Sequence, residues 1–133
     1  MIPIRALGLC AVLAAASLLT ACEDQGPAAP TDVGVCYKAE FPQGGKMFFN
    51  KVAVNQPTLL HCEVELEKVR MRFMSLGGSQ SEIVGAYQGS YIWVAPEGIF
   101  SSQTYKGHRY LSLPRDDNGR LILPGQQNQQ QSQ

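Results

Sequence analysis

One segment of the sequence, residues 57–76, has the periodicity of an α-helix, and the other patterned segments alternate in the manner of β-strands. The predicted helix opens on Pro57, which suits a first helical turn, and stops at Gly77-Gly78, which supplies a left-handed ending. Because a single helix can cover one face of a sheet and not both, this feature limits what the chain can fold into. Acidic residues come before basic ones along the helix, and we expect the acidic ones to form a solvated face: Glu63, Glu65 and Glu67.

The apolar residues of this helix fall into two groups. At about 100° per residue, one group forms a stripe of the width typical of a core-facing surface. Its members are Leu59, Cys62, Leu66, Val69, Phe73 and Leu76. The second group lies on a different side of the helix and consists of Leu60, Val64, Met71 and Met74. Two explanations of the second group stay open: a loop covers it, or it is a partner-binding face that uses the adaptable side chain of methionine.

Six segments that read as strands surround the helix and pair through turn-forming residues. Hairpin turns are predicted at residues 42–45, at Gly89-Ser90 with type II′ geometry, and at residues 116–119. The paired segments are 35–41 with 46–55, 82–88 with 91–95, and 109–113 with 120–123. The sequence therefore predicts an α+β fold, with one long α-helix packed across one face of a small antiparallel β-sheet.

The second hairpin separates its side chains onto two faces of the predicted sheet. With Gly89-Ser90 as the turn, Gln88 is expected opposite Tyr91. One face then carries Ile83, Tyr87, Ile92 and Val94, and the other carries Val84, Ala86, Tyr91 and Trp93. The aliphatic face suits the helix. On the other face, Tyr91 and Trp93 either form an open platform for a protein side chain or a sugar ring, or lie beneath residues 99–110.

The first 22 residues carry the pattern of an export signal. After Arg5, residues 6–19 are apolar, a run shorter than the roughly 20 residues of a membrane-spanning helix and typical of a secretory signal. The run ends in Leu19-Thr20-Ala21-Cys22, and these four residues resemble the lipobox of bacterial lipoproteins. The resemblance implies that residues 1–21 are removed as a signal peptide, that Cys22 is acylated, and that the lipid anchors the protein on the periplasmic side of a membrane. Glu23 leaves the choice between the inner and the outer membrane open.

The fate of the cysteines follows from this resemblance. Cys10 leaves with the signal peptide and Cys22 carries the lipid, so Cys36 and Cys62 remain for the folded part. Two remaining cysteines in an exported protein usually pair, and closing this loop stabilises the fold by about 3 kcal/mol in the chain-entropy model. The predicted disulfide staples the helix to the strand that carries Cys36. A metal site that adds the two histidines is the alternative, but the spacing of a zinc site is missing.

Composition divides the remainder of the chain into three parts. Residues 22–34 are rich in proline and glycine and lack an apolar period, which indicates a lipidated cysteine followed by a flexible tether. Residues 35–124 form the predicted single domain, and the glutamine-rich residues 125–133 are expected to be disordered. Loss of Arg5 with the signal leaves 10 of the 11 basic side chains against 11 acidic ones, a balance that gives no support to nucleic-acid binding.

The sequence offers no recognisable catalytic or cofactor-binding motif, such as a nucleophile elbow or a phosphate-binding glycine loop. We therefore expect a non-catalytic, cofactor-free envelope protein that docks on a membrane or periplasmic partner. Its candidate binding residues are Tyr91, Trp93, Leu60, Val64, Met71 and Met74. The alternative is a domain that binds peptidoglycan or another glycan. A helix across an antiparallel sheet is similar in outline to the sporulation-related repeat, although that family has two helices; a periplasmic enzyme is the least favoured function.

Overall fold

The computed structural model describes residues 24–78 and 82–125. Its elements, in chain order, are β1 (Cys36–Glu40), β2 (Phe48–Ala53), α1 (Leu59–Ser75), β3 (Ile83–Tyr87), β4 (Ser90–Ala95), β5 (Gly98–Ser102) and β6 (Tyr110–Pro114). The strands form one antiparallel sheet in the order β2-β1-β3-β4-β5-β6, and α1 packs against one face of it, which confirms the α+β prediction. The predicted signal peptide, Cys22 and residues 126–133 of the predicted tail lie outside the described residues.

The helix α1 begins two residues later than the sequence pattern indicated. Thr58 is the N-cap: its backbone is extended, and its side-chain oxygen accepts a hydrogen bond from the N–H of His61 at 3.4 Å. Pro57 therefore precedes the helix instead of opening it. At the other end the predicted glycine stop is present, since Gly77 has a φ of 84° and its N–H donates to the carbonyl of Met74 at 3.1 Å.

The contact of α1 with the core extends from Leu59 to Val69 and leaves out the last turns of the helix. Cys62 and Leu66 are fully buried, and Leu66 lies so close to Gly85 of β3 that any Cβ atom at that position would collide with it. The prediction that the first apolar group faces the core is wrong for its last two members, Phe73 and Leu76, which are exposed. The last turns of α1 lie outside the contact with the sheet, so their apolar side chains stay in solvent.

One predicted strand is absent and another was missed. The chain turns back immediately after β4, through Pro96 and Glu97, and residues 98–102 pair with β4 as strand β5. Residues 120–123, predicted as a strand, contribute a single bridge between Leu121 and Arg115. The aspartate turn explains the difference, because the side chain of Asp116 accepts hydrogen bonds from two backbone N–H groups after it and holds the chain in a local loop.

The turn between β3 and β4 differs by one position from the prediction. Its two central residues are Gln88 and Gly89, with φ values of 44° and 85°, so the turn is of type I′ and Tyr87 lies opposite Ser90. The predicted pairing of Gln88 with Tyr91 is therefore wrong. The predicted faces are correct even so, because the pairing shifts by two residues in total and strand side chains alternate with a period of two.

The disulfide is present between Cys36 of β1 and Cys62 of α1, as the sequence predicted. The two Cα atoms lie 5.2 Å apart, and both residues are fully buried in the core between the helix and the sheet. The bond therefore joins the helix to a strand that is far from it in sequence, at the centre of their contact.

Removal of this bond is predicted to weaken the fold. Replacing both residues in the Cys36→Ala/Cys62→Ala variant should lower the free energy of unfolding by about 3 kcal/mol, because the unfolded chain regains the freedom that the cross-link removed. Urea denaturation followed by circular dichroism measures the difference, and the wild-type protein with reductant serves as the control. Equal midpoints for the variant and the oxidised wild type would contradict a structural role for the bond.

The second face of the sheet is covered by residues 24–34, called the strap from here on. The hydroxyl of Tyr91 donates to the carbonyl of Pro27 at 2.7 Å, the N–H of Gly89 donates to the carbonyl of Pro30 at 2.8 Å, and Ala29 is buried. The prediction of a flexible tether is therefore wrong for these residues. The sheet has two apolar faces and α1 covers one, so the strap supplies part of the missing second layer.

Deleting the strap is predicted to open the second face. A chain that starts at Val35 should unfold with a free energy lower by at least about 2 kcal/mol. The hydrogen bonds from Tyr91 and Gly89 alone contribute about 1 kcal/mol each, and the other strap hydrogen bonds and the burial of Ala29 are lost with them. The emission of Trp93, the single tryptophan of the sequence, should shift to longer wavelength. A chain that starts at Asp24 is the matched control. Identical stability and emission for the two chains would contradict the role of the strap as a cover for the second face of the sheet.

Candidate functional site

The aromatic residues predicted as a binding platform are buried. Tyr91 and Trp93 lie inside a cluster with Tyr105, whose ring centroid is 5.4 Å from that of Tyr91 and 6.2 Å from that of Trp93. The guanidinium of Arg109 lies 4.1 Å from the centre of a Trp93 ring. The open platform is therefore wrong. The cover comes from two places: residues 103–109 between β5 and β6, which the sequence raised as a possibility, and the strap, which it missed.

The buried hydroxyl of Tyr91 has a defined role within this cluster. Burial raises the pKa of Tyr91, and the neighbouring Tyr105 raises it further. The hydroxyl therefore stays protonated and keeps its hydrogen bond to Pro27. This tyrosine holds the strap on the sheet and is not available to a ligand.

The four candidate residues of the second helix group differ in exposure. Leu60 and Val64 are half-buried, and Leu60 packs against the core, whereas Met71 and Met74 are exposed. The exposed pair and two exposed apolar residues from another side of the helix together make a group that surrounds the last turns of α1. We call it the helix-end patch; its members and exposed fractions are Met71 (60%), Phe73 (41%), Met74 (43%) and Leu76 (81%).

A groove borders the helix-end patch. It has a volume of about 430 Å³ and lies between α1, which contributes Met71 and Arg70, and the turn after β6, which contributes Asn118, Arg120 and Leu121. Apolar side chains beside a groove with charged walls suit the side chains of a protein partner better than a small polar ligand. The helix-end patch is therefore the candidate functional site.

Glu67 lines the groove and forms a buried ion pair with Arg115 that the sequence pattern did not reveal. The guanidinium of Arg115 donates to both carboxylate oxygens of Glu67, at 2.7 and 2.9 Å, and also to the carbonyls of Ala95 and Gly119. Glu67 was expected on a solvated face, and that expectation is wrong. Its partner lies 48 residues further along the chain, so the spacing of charges within the helix carried no sign of it. The pair fixes the turn after β6 against α1.

A second predicted surface carboxylate, Glu63, is also buried. Burial raises the pKa of Glu63, and a hydrogen bond with Ser112 opposes this shift in part. Its Oε1 atom has no hydrogen-bond partner. The group is therefore an energetic cost to the fold in its charged form.

The Glu63→Gln variant is predicted to be more stable near neutral pH. Because the folded protein binds this proton more tightly than the unfolded chain, the stability of the wild type falls as pH rises above the ordinary glutamate value of about 4.3. Removing the charge should raise the free energy of unfolding by about 1–3 kcal/mol at pH 7 and by little at pH 4. Denaturation of both proteins at the two pH values measures this, and a difference that does not change with pH would contradict the buried charge.

The two histidines, which the sequence raised as possible metal ligands, lie in different parts of the fold. The ring of His61 contacts the hydroxyl of Thr58 at 2.7 Å at the start of α1, and His108 packs edge-on against Tyr110 with centroids 4.5 Å apart. Within residues 24–78 and 82–125, no group of three or more His, Cys, Asp or Glu side chains is arranged to hold a metal ion. The helix in these ranges lacks the length and the apolar character needed to cross a bilayer.

Compared with known proteins, the chain matches no family model, no curated protein and no solved structure. What its residues can do therefore rests on their own chemistry and placement.

Proposed function

We propose that this chain is a small lipid-anchored protein of the cell envelope that performs no catalysis and docks on a membrane or periplasmic protein through the helix-end patch. The observation that carries the proposal is the exposure of four apolar side chains around the last turns of α1. Met71 and Met74 lie on one side of the last turns and Phe73 and Leu76 on another, and this many exposed apolar side chains at one helix end favour an interaction surface. Methionine adapts its shape to a partner, which suits such a surface.

The lipid anchor rests on Leu19-Thr20-Ala21-Cys22, the four residues that resemble a lipobox. A disulfide between Cys36 and Cys62 supports export, because such bonds form and persist in oxidising compartments outside the cytoplasm. With acyl chains on Cys22, the protein would remain at the periplasmic surface of its membrane.

A protein partner is favoured over a glycan. The glycan alternative depended on Tyr91 and Trp93 as an exposed stacking surface, and both rings are buried beneath the strap and Tyr105. The helix-end patch consists mainly of aliphatic and thioether side chains, which bury against an apolar protein surface and offer few of the hydrogen bonds that a sugar requires.

In-cell cross-linking tests the proposal. A photo-reactive amino acid in place of Met71 should join the full-length protein to one envelope protein, identified by mass spectrometry, and the added Met74→Glu substitution should remove that product by placing a charge in the contact. The same photo-reactive residue in place of Val54, which is exposed on the connection between β2 and α1, is the control. Cross-links from both positions to the same proteins, or none from Met71, would overturn docking through the helix-end patch.

A further inference from the structure

We propose that the domain meets the lipid headgroups with one end of its sheet, so that residues 103–107 lie at the bilayer surface and the helix-end patch is directed away from it. The inference rests on the proposed lipid anchor at Cys22 and adds the orientation that the anchor imposes. Its ligand class is a phospholipid surface.

The first described residue of the strap is fixed to the body of the domain. The carboxylate of Asp24 pairs with the ammonium of Lys106 at 3.1 Å, the carbonyl of Gln25 accepts a hydrogen bond from the N–H of Lys106 at 3.1 Å, and the side chains of Gln25 and Thr104 are 3.1 Å apart. A hydrogen bond from the N–H of Gly26 to Asp24 lowers the pKa of Asp24, as does Lys106, so the carboxylate stays charged for this pairing. The start of the strap is therefore held against residues 104–106.

The chain between this point and the predicted lipid is very short. One residue, Glu23, separates Asp24 from Cys22, and two Cα-to-Cα steps span at most about 7 Å. A tether of twelve free residues would average about 20 Å as a coil and leave the domain to tumble above the membrane. With the strap packed, the Cα atom of Cys22 lies at most about 7 Å from that of Asp24, so the lipid carried by an acylated Cys22 would bring residues 103–107 close to the headgroups.

The topology places the helix-end patch at the other end of the sheet. Residues 103–107 follow the end of β5, whereas α1 leads toward the start of β3, and Ile83 there pairs with Val94 near the end of β4. The turn at Glu97, before β5, marks that opposite end. Residues 97 and 103 flank β5 and are about 20 Å apart along the strand. A partner of the helix-end patch would therefore be met away from the leaflet, which favours a protein over lipid as its occupant.

The side chains around residues 103–107 fit contact with headgroups. Asp24 and Lys106 neutralise each other, and Gln103 is exposed beside them. Neutral polar groups can hydrogen-bond to phosphate and ester oxygens without a net attraction to anionic lipid. The covalent anchor therefore sets the orientation, and charge does not.

Fluorescence quenching in vesicles tests the orientation. The full-length protein, purified in its acylated form, is placed in vesicles of phosphatidylethanolamine and phosphatidylglycerol that carry a quencher on a fraction of the headgroups. A fluorescent amino acid replaces Gln103 in one variant and Glu97, the matched position across β5, in the other. A third and fourth variant add a flexible insert of about 12 glycine and serine residues between Glu23 and Asp24, which lengthens the link by about 20 Å without touching the strap contacts.

We expect the headgroup quencher to remove most of the fluorescence at position 103 and little of it at position 97. In the variants with the insert, this difference between the two positions should disappear. Unchanged Trp93 emission shows that each variant is folded. Equal quenching at the two positions, or stronger quenching at 97, overturns the orientation while the anchor stands. Mass spectrometry of the N-terminal peptide separates the two proposals, because an unacylated Cys22 overturns the proposed anchor and the orientation with it.

Discussion

The structure depends on how a sheet with two apolar faces is covered when residues 24–78 and 82–125 contribute one helix. α1 seals the face that carries Ile83, Ile92 and Val94. The other face carries Tyr91 and Trp93, and burial of such large rings contributes strongly to stability only if something excludes water from them. The strap and residues 103–109 do this with irregular backbone. Their polar groups are accommodated because they bond to the turn at Gln88 and Gly89 and to Tyr91.

This arrangement links folding to location. A segment rich in proline and glycine would ordinarily act as a spacer, but residues 24–34 instead complete a core. If Cys22 is acylated as proposed, the domain and the bilayer are joined with almost no slack. The same fold also determines how the helix-end patch is held. The disulfide fixes the first turn of α1, and the close contact of Leu66 with Gly85 fixes its middle. The ion pair of Glu67 with Arg115 fixes the turn after β6 against the helix. The last turns are thereby held in solvent on a rigid support.

Local patterns in the sequence were sufficient for the helix, the fold class, the disulfide and the two faces of the β3–β4 hairpin. The assignment of side chains to the two faces was correct although the predicted turn was wrong, because side chains in a strand alternate with a period of two. Interactions between distant residues were not accessible in this way. The burial of Glu67 depends on Arg115, and β5 was missed because its apolar residues, Ile99 and Phe100, are few and are followed by serines. The strap carried a weak signal in its small apolar residues, Pro27 to Pro30, but its composition also fits a free coil, and only the uncovered face of the sheet distinguishes the two.

The orientation and the cover over Tyr91 and Trp93 both depend on packing of the strap, and amide hydrogen exchange of the native protein measures this packing directly. The N–H of Gly89 donates to Pro30, that of Lys106 donates to Gln25, and that of Gly34 donates to the side chain of Gln88. The account predicts that these amides exchange far more slowly than those of an unstructured peptide, with protection that is lost on unfolding of the second face. Exchange of all three at the rate of a free coil would contradict it.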